Sequence, residues 1–148
     1  MTHKLFFSEQ EQQQIIEAIK AAEKMTSGEI KLHLDEYCKT DPYFKAEMLF
    51  GQLGLVHTAQ RNAVLIYLAT EDKKFAIIGD EGIHQKVGQE FWNHTIALMQ
   101  KHFKENNFTT GICEGIFSIG EQLKKLFPYQ KEDINEINNE ISFGGKND

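Results

Sequence analysis

Arginine is almost missing from this sequence: Arg61 is the single one among 16 basic residues, and the formal net charge is −6. A nucleic-acid backbone is a poor partner for such a chain, because phosphate binders gather Lys and Arg on one face. A cation is a better one. Cysteine is scarce too. Cys38 and Cys113 lie far apart with no C-x-x-C spacing, which excludes a cysteine-built zinc site and predicts two reduced, mostly buried thiols. The two prolines, Pro42 and Pro128, sit where helices start and stop. No apolar run is long enough to cross a bilayer, and Met1–Ser8 lacks the apolar core of a signal peptide. The expectation is a soluble cytoplasmic protein with no membrane partner. Familiar phosphate chemistry is also missing: there is no Asp-x-Asp pair, no cysteine followed by five residues and Arg, no Gly-x-x-x-x-Gly-Lys loop and no Gly-x-Gly-x-x-Gly turn.

What is present is a core. With 148 residues, 41% of them hydrophobic and 11 Phe, the chain reads as one domain over residues 1–148. The stretch Asn62–Gly82 organises it. Two apolar runs, Ala63–Ala69 and Phe75–Ile78, flank a polar turn and read as the two middle strands of a sheet. The second run ends on Gly79-Asp80-Glu81-Gly82, two carboxylates between glycines.

Around that hairpin the pattern alternates. Ser8 and Glu11 have capping-box spacing, and Ile15, Ile19, Ala22 and Met25 form the apolar face of a helix over 8–25 that Gly28 would close in a left-handed cap. Glu29–Leu34 alternates as a strand, with Lys31 and His33 on its outer side. Asp41-Pro42 opens a helix over 42–54 that turns Phe44 and Met48 inward. Ile83–Val87 reads as a helical turn. Trp92, Ile96, Met99 and Phe103 mark a helix over 89–104 whose stripe is core. Thr109 or Thr110 caps the last long helix, with Ile112, Ile116, Ile119 and Leu123 on its buried face. The polar tail, 129–148, carries Ile134, Ile137, Ile141 and Phe143 and is expected to dock on the body.

Strand, helix, strand makes a right-handed parallel unit, and the hairpin adds an antiparallel strand. The fold class is therefore α/β: a three-layer α/β/α sandwich with a small mixed sheet. This topology sends the starts of the two parallel strands and the end of the third to one rim, so Glu29, Asn62 and Asp80-Glu81 should converge beside Arg61. Asp35, Glu36, Glu71 and Asp72 gather at the other rim, the one favoured by the usual rule for open α/β sheets.

Thr26-Ser27-Gly28-Glu29-Ile30, Arg61-Asn62-Ala63-Val64-Leu65-Ile66-Tyr67, Gly79-Asp80-Glu81-Gly82-Ile83 and Ile141-Ser142-Phe143-Gly144, in this order and spacing, resemble the TPM-domain family. That family includes thylakoid-lumen proteins linked to photosystem II repair and stand-alone bacterial proteins, and the Ser-Phe-Gly ending looks like the short soluble bacterial subgroup. The resemblance implies an α/β/α sandwich, binding of calcium or another divalent cation, and a proposed acid-phosphatase activity for plant members. Many relatives carry an amide where this chain has Glu29.

The residues themselves support a metal set of Glu29, Asn62, Asp80 and Glu81, since calcium takes carboxylate, amide and carbonyl oxygens and water. The bland alternative is that Asp80 caps the following turn. Arg61 could contact an anion through its guanidinium, or pair with Asp80 or Glu81. In an enzyme, Asp80 would be the nucleophile or base; His84 is a further ligand or proton-donor candidate. The first reading is a divalent-cation-binding module, with a phosphate ester or a protein as further partner. The rivals are a metal-assisted phosphatase at the same rim and a protein-interaction module without metal.

Overall fold

In the computed structural model, which describes residues 6–129 and 136–144, a four-stranded mixed sheet carries helices on both faces. Helix α1 (Glu9–Glu23) begins with a reciprocal cap: the Glu11 N–H donates to the Ser8 hydroxyl and the Ser8 N–H to the Glu11 carboxylate. Strand β1 (Glu29–Asp35) runs parallel to β2 (Ala63–Ala69), in register from Glu29↔Ala63 to Asp35↔Ala69. Helix α2 (Pro42–Gln52), capped by Asp41, connects them. Strand β3 (Lys74–Gly79) is antiparallel to β2, and β4 (Ser142–Phe143) pairs in parallel with the far side of β1, giving the order β3-β2-β1-β4.

That order corrects two expectations. The run Phe75–Ile78 is an edge strand, and β1 takes the inner place because the tail supplies its neighbour. Nor does β1 have an outer side: all seven residues are buried, Lys31 and His33 included.

On one face, Ile30, Leu32, Leu34, Val64, Ile66 and Leu68 pack against α1, α4 (Asn93–Lys104) and α5 (Phe108–Leu126). Ile112, Ile116, Ile119 and Leu123 of α5 are fully buried there, each stabilising by about 1.5–3 kcal/mol. A Cβ on Gly115 would lie 2.5 Å from the Met99 sulfur, so α4 sits directly on the α5 backbone.

The other layer is thin. Ala46, Leu49, Phe50 and Leu55 meet Ala63, Leu65, Tyr67, Ala69 and Ala76. Helix α2 turns Ala46, Leu49 and Phe50 to the sheet, and Phe44 and Met48, four residues apart, lie on another face. Phe44 and Met48 therefore point to solvent, at 60% and 43% exposure, contrary to their expected inward facing.

Other boundaries shift locally. Gly28 is not left-handed; a Cβ there would press on Leu123. A 3-10 turn, Gln89–Trp92, precedes α4 in place of one continuous helix. Helix α5 begins at Phe108 without a side-chain cap, and the Thr109 hydroxyl donates instead to Glu11 of α1 at 2.7 Å. Both thiols are free; Cys38 is buried and Cys113 half-buried. In the tail Ile141 is buried and Ile137 packs on the alanine-rich layer, while Ile134 lies outside the described residues. Among the described residues no helix is long and apolar enough to cross a membrane.

Candidate functional site

Chain direction brings Glu29, Asn62 and Asp80 to one rim. Glu29 opens β1, Asn62 precedes β2, and Asp80 follows β3, whose Gly79 pairs with Val64. Because β2 lies between β1 and β3, Asn62 stands between the two acids. The acids themselves, however, are drawn to different partners.

Asp80 caps α3 (Glu81–Val87) and is buried. Its Oδ1 accepts from the Glu81 N–H at 2.7 Å and from Arg61 Nη2 at 2.9 Å, and its Oδ2 from Arg61 Nε at 2.7 Å. Arg61 also reaches Glu81 at 3.2 Å. This bidentate grip raises the guanidinium pKa further. The one arginine of the chain thus serves its own carboxylates. The flanking glycine has a similar explanation. The Gly82 N–H donates to the Arg61 carbonyl at 2.8 Å, and a Cβ on Gly82 would fall 2.3 Å from the Gln60 carbonyl oxygen and 2.6 Å from that of Arg61. The glycine lets two backbone segments touch.

Glu29 is buried and accepts a hydrogen bond from the Glu136 N–H of the tail. It also accepts from the Ile137 N–H and bonds Glu23, at the end of α1, which itself accepts from the Ile30 N–H at 2.9 Å. Burial pushes the Glu23 carboxyl up to about 9; the Ile30 N–H partly opposes this and the Glu29 charge adds to it. Burial raises Glu29 as well. Two carboxyls in this position share a proton rather than both ionising. They border a cavity of about 360 Å³ also lined by Lys20, Lys24, Ser27 and Tyr129.

Asn62 is 1% exposed. Its main-chain carbonyl oxygen accepts from the Glu29 N–H at 3.4 Å and its Nδ2 donates to Ser27 Oγ at 3.4 Å, but among the described residues its Oδ1 has no hydrogen-bond partner. A buried amide oxygen left unpaired is costly and calls for an explanation. Among the described residues no three His, Cys, Asp or Glu side chains come together as a metal cage.

The opposite rim holds what the sequence reading missed. His33 Nε2 lies 2.9 Å from Asp35 Oδ1, His33 Nδ1 lies 2.8 Å from Ser142 Oγ, and the Tyr67 hydroxyl donates to Asp35 Oδ2 at 2.7 Å. Burial alone would raise the Asp35 carboxyl, but the bonds from His33 and Tyr67 outweigh it and hold the group below its ordinary value. Burial and the Asp35 partner drive the Tyr67 hydroxyl the other way, upward. Next along β1, Lys31 Nζ donates to Asn138 Oδ1 at 2.8 Å and to the Glu140 carbonyl at 2.7 Å, while burial lowers its pKa. A signal was available. Glu29, Lys31, His33 and Asp35 alternate along β1, and Glu136, Asn138, Glu140 and Ser142 alternate along the tail. Two polar alternations that match in period can satisfy one another when laid side by side.

Of the remaining acids at this rim, Asp72 accepts from the Cys38 N–H at 2.8 Å, and the Glu71 N–H donates to the Glu36 carbonyl at 2.8 Å. His84 is exposed on α3, and His102 pairs with Glu114.

Comparison with known proteins settles the family. The model of the TPM domain matches residues 2–122. The chain belongs to the TPM-domain family. Its TPM fold is similar to the NMR structure of the BA42 protein from the psychrophilic bacterium Bizionia argentinensis, at 43% identity and TM-score 0.89, over 94% of this chain and 96% of that one. The N-terminal domain of a protein from P. gingivalis shares the fold at 16% identity and TM-score 0.66, over 85% of this chain and 83% of its own. No curated protein matches.

Proposed function

We propose that this TPM domain is a divalent-cation-binding module whose ion is held at the Glu29–Asn62 end of the amino rim. The observation that carries the reading is the Asn62 Oδ1, buried and unpaired at the middle of an acidic rim. The donor chemistry fits a hard cation of the calcium or magnesium class: carboxylate and amide oxygens. Glu29 and Asn62 would hold the ion, with backbone carbonyls and water completing its shell. Asp80 and Glu81 would join where Arg61 gives way. The ion would supply positive charge that orders the rim and offers a docking point for an anionic ligand or partner. With few protein carboxylates in the shell, the expected affinity is modest.

Hydrolysis of phosphate esters through Asp80 has less support. Both of its oxygens accept hydrogen bonds from Arg61, and one also accepts from the Glu81 N–H. Such a carboxylate is a held cap rather than a free nucleophile.

The test is an amide NMR titration with calcium and, separately, magnesium. Amides of 27–30, 61–63 and 79–82 should move together and saturate, and Asn62→Ala should abolish the response while the dispersed spectrum persists. Shifts confined to 35–36 and 71–72, or no saturable shift, would overturn the reading.

A further inference from the structure

A second cavity, of about 560 Å³, lies between the β2–β3 hairpin and the end of α4, away from the amino rim. Lys73, Lys74 and Lys104 line it, and no carboxylate does. In a chain with a net charge of −6 this is a local reversal of sign. Among the described residues none of these three ammonium groups is in an ion pair; Lys74 Nζ donates to the Cys38 carbonyl at 3.2 Å. Lys104 faces the carbonyl end of α4, which accounts for one cation there. Lys73 and Lys74 come from the hairpin and have no helix end to serve.

The floor is aromatic. Phe75 and Phe103 meet edge to face at 5.1 Å, and Phe103 stacks on Phe108 behind it at 5.2 Å. Both lining rings are only half-buried, so apolar surface stays open to the groove. Gln100 and Asn106 add two amides on the walls. Lys73 and Asn106, both in the lining, hold left-handed backbones, φ 55° and 62°. Lys74 pairs with Ala69, so the groove also opens at the carboxyl ends of the parallel strands, where open α/β sheets receive ligands.

We propose that this groove binds a nucleotide: a planar heteroaromatic ring joined to a phosphate. Lysine ammoniums hold a phosphate as point charges. Aromatic rings accept any base by stacking. Side-chain amides can both donate to and accept from the polar edges of a base. The shared requirement for charge, stacking and amide contact separates this ligand from a bare anion.

The experiment is an amide NMR titration of the full chain at low salt with AMP, with adenosine and inorganic phosphate as separate probes. AMP should move amides of 73–75 and 100–106 and saturate, with phosphate and adenosine each binding more weakly. The exposed pair Lys73→Gln with Lys104→Gln should weaken AMP by about tenfold, with the dispersed amide spectrum retained. Phosphate binding as tightly as AMP, AMP shifts centred on the Glu23–Glu29 cavity, or no saturable AMP shift would each overturn the assignment.

Discussion

Asp35 and Glu29 are almost equally hidden, at 2% and 3% exposure, at opposite rims of the same strand. Asp35 has a ring nitrogen on one oxygen and a phenol on the other, and its carboxyl stays ionised. Glu29 faces a second carboxyl, Glu23, and at the same rim Asn62 Oδ1 has no partner among the described residues. Burial is the same; what differs is the surroundings: side-chain donors fill both oxygens of Asp35, while Glu29 takes backbone N–H groups from the tail and still faces a second carboxyl. A carboxylate whose acceptor sites are filled by fixed donors is part of the scaffold. Two carboxyls that still face one another after taking backbone donors are stabilised when a proton or a cation joins them. This contrast is why the cation is proposed at the amino rim and not at the one general topology favours.

Breaking the completed rim should have the largest effect. Asp35→Ala leaves the His33 imidazole and the Tyr67 hydroxyl buried without their acceptor, and urea unfolding should show a loss of about 3–5 kcal/mol. A much smaller loss would mean that the two rims do not differ as described. Next is the backbone contact that holds the amino rim together. Gly82→Ala forces a Cβ against the Gln60 and Arg61 carbonyls, and about 1–3 kcal/mol should be lost in the same assay.

The third expected effect is one of slope against pH. Glu23 has a raised folded-state value, about 9 against an ordinary 4.5, so the folded protein binds the extra proton in that interval. Its contribution is fully present below about pH 4.5 and is lost as pH rises toward 9. In a chelator, thermal melts of Glu23→Gln should lack this decline between those limits. A mutant curve parallel to the parent's would place the proton elsewhere and bring the two rims closer in character.

Legibility differed with range. The cap at Ser8 and Glu11 and the cap at Asp41 follow from residues within one helical turn. Misreadings came where neighbours distant in sequence decided the outcome. Phe44 and Met48 have helical spacing suited to a core, but α2 turns the face of Ala46, Leu49 and Phe50 to the sheet instead. His33 looked outward because β1 was given a solvent face, which Ser142 and the tail cover. The meeting of Glu23 with Glu29 depends on how α1 ends over the sheet, which periodicity does not describe.

The sequence by itself determined the strand directions, the sandwich of layers, the family pattern and the rim to which Glu29, Asn62 and Asp80 converge. Alternation, helical period and crossover handedness are local or nearly local rules, so they can be read along the chain. Only the tertiary structure decided which buried polar groups are satisfied: Asp80 by Arg61, Asp35 by His33 and Tyr67, and Asn62 Oδ1 by none of the described residues. Hydrogen bonds are short and directional, so a pairing across many residues exists only once packing has fixed both ends.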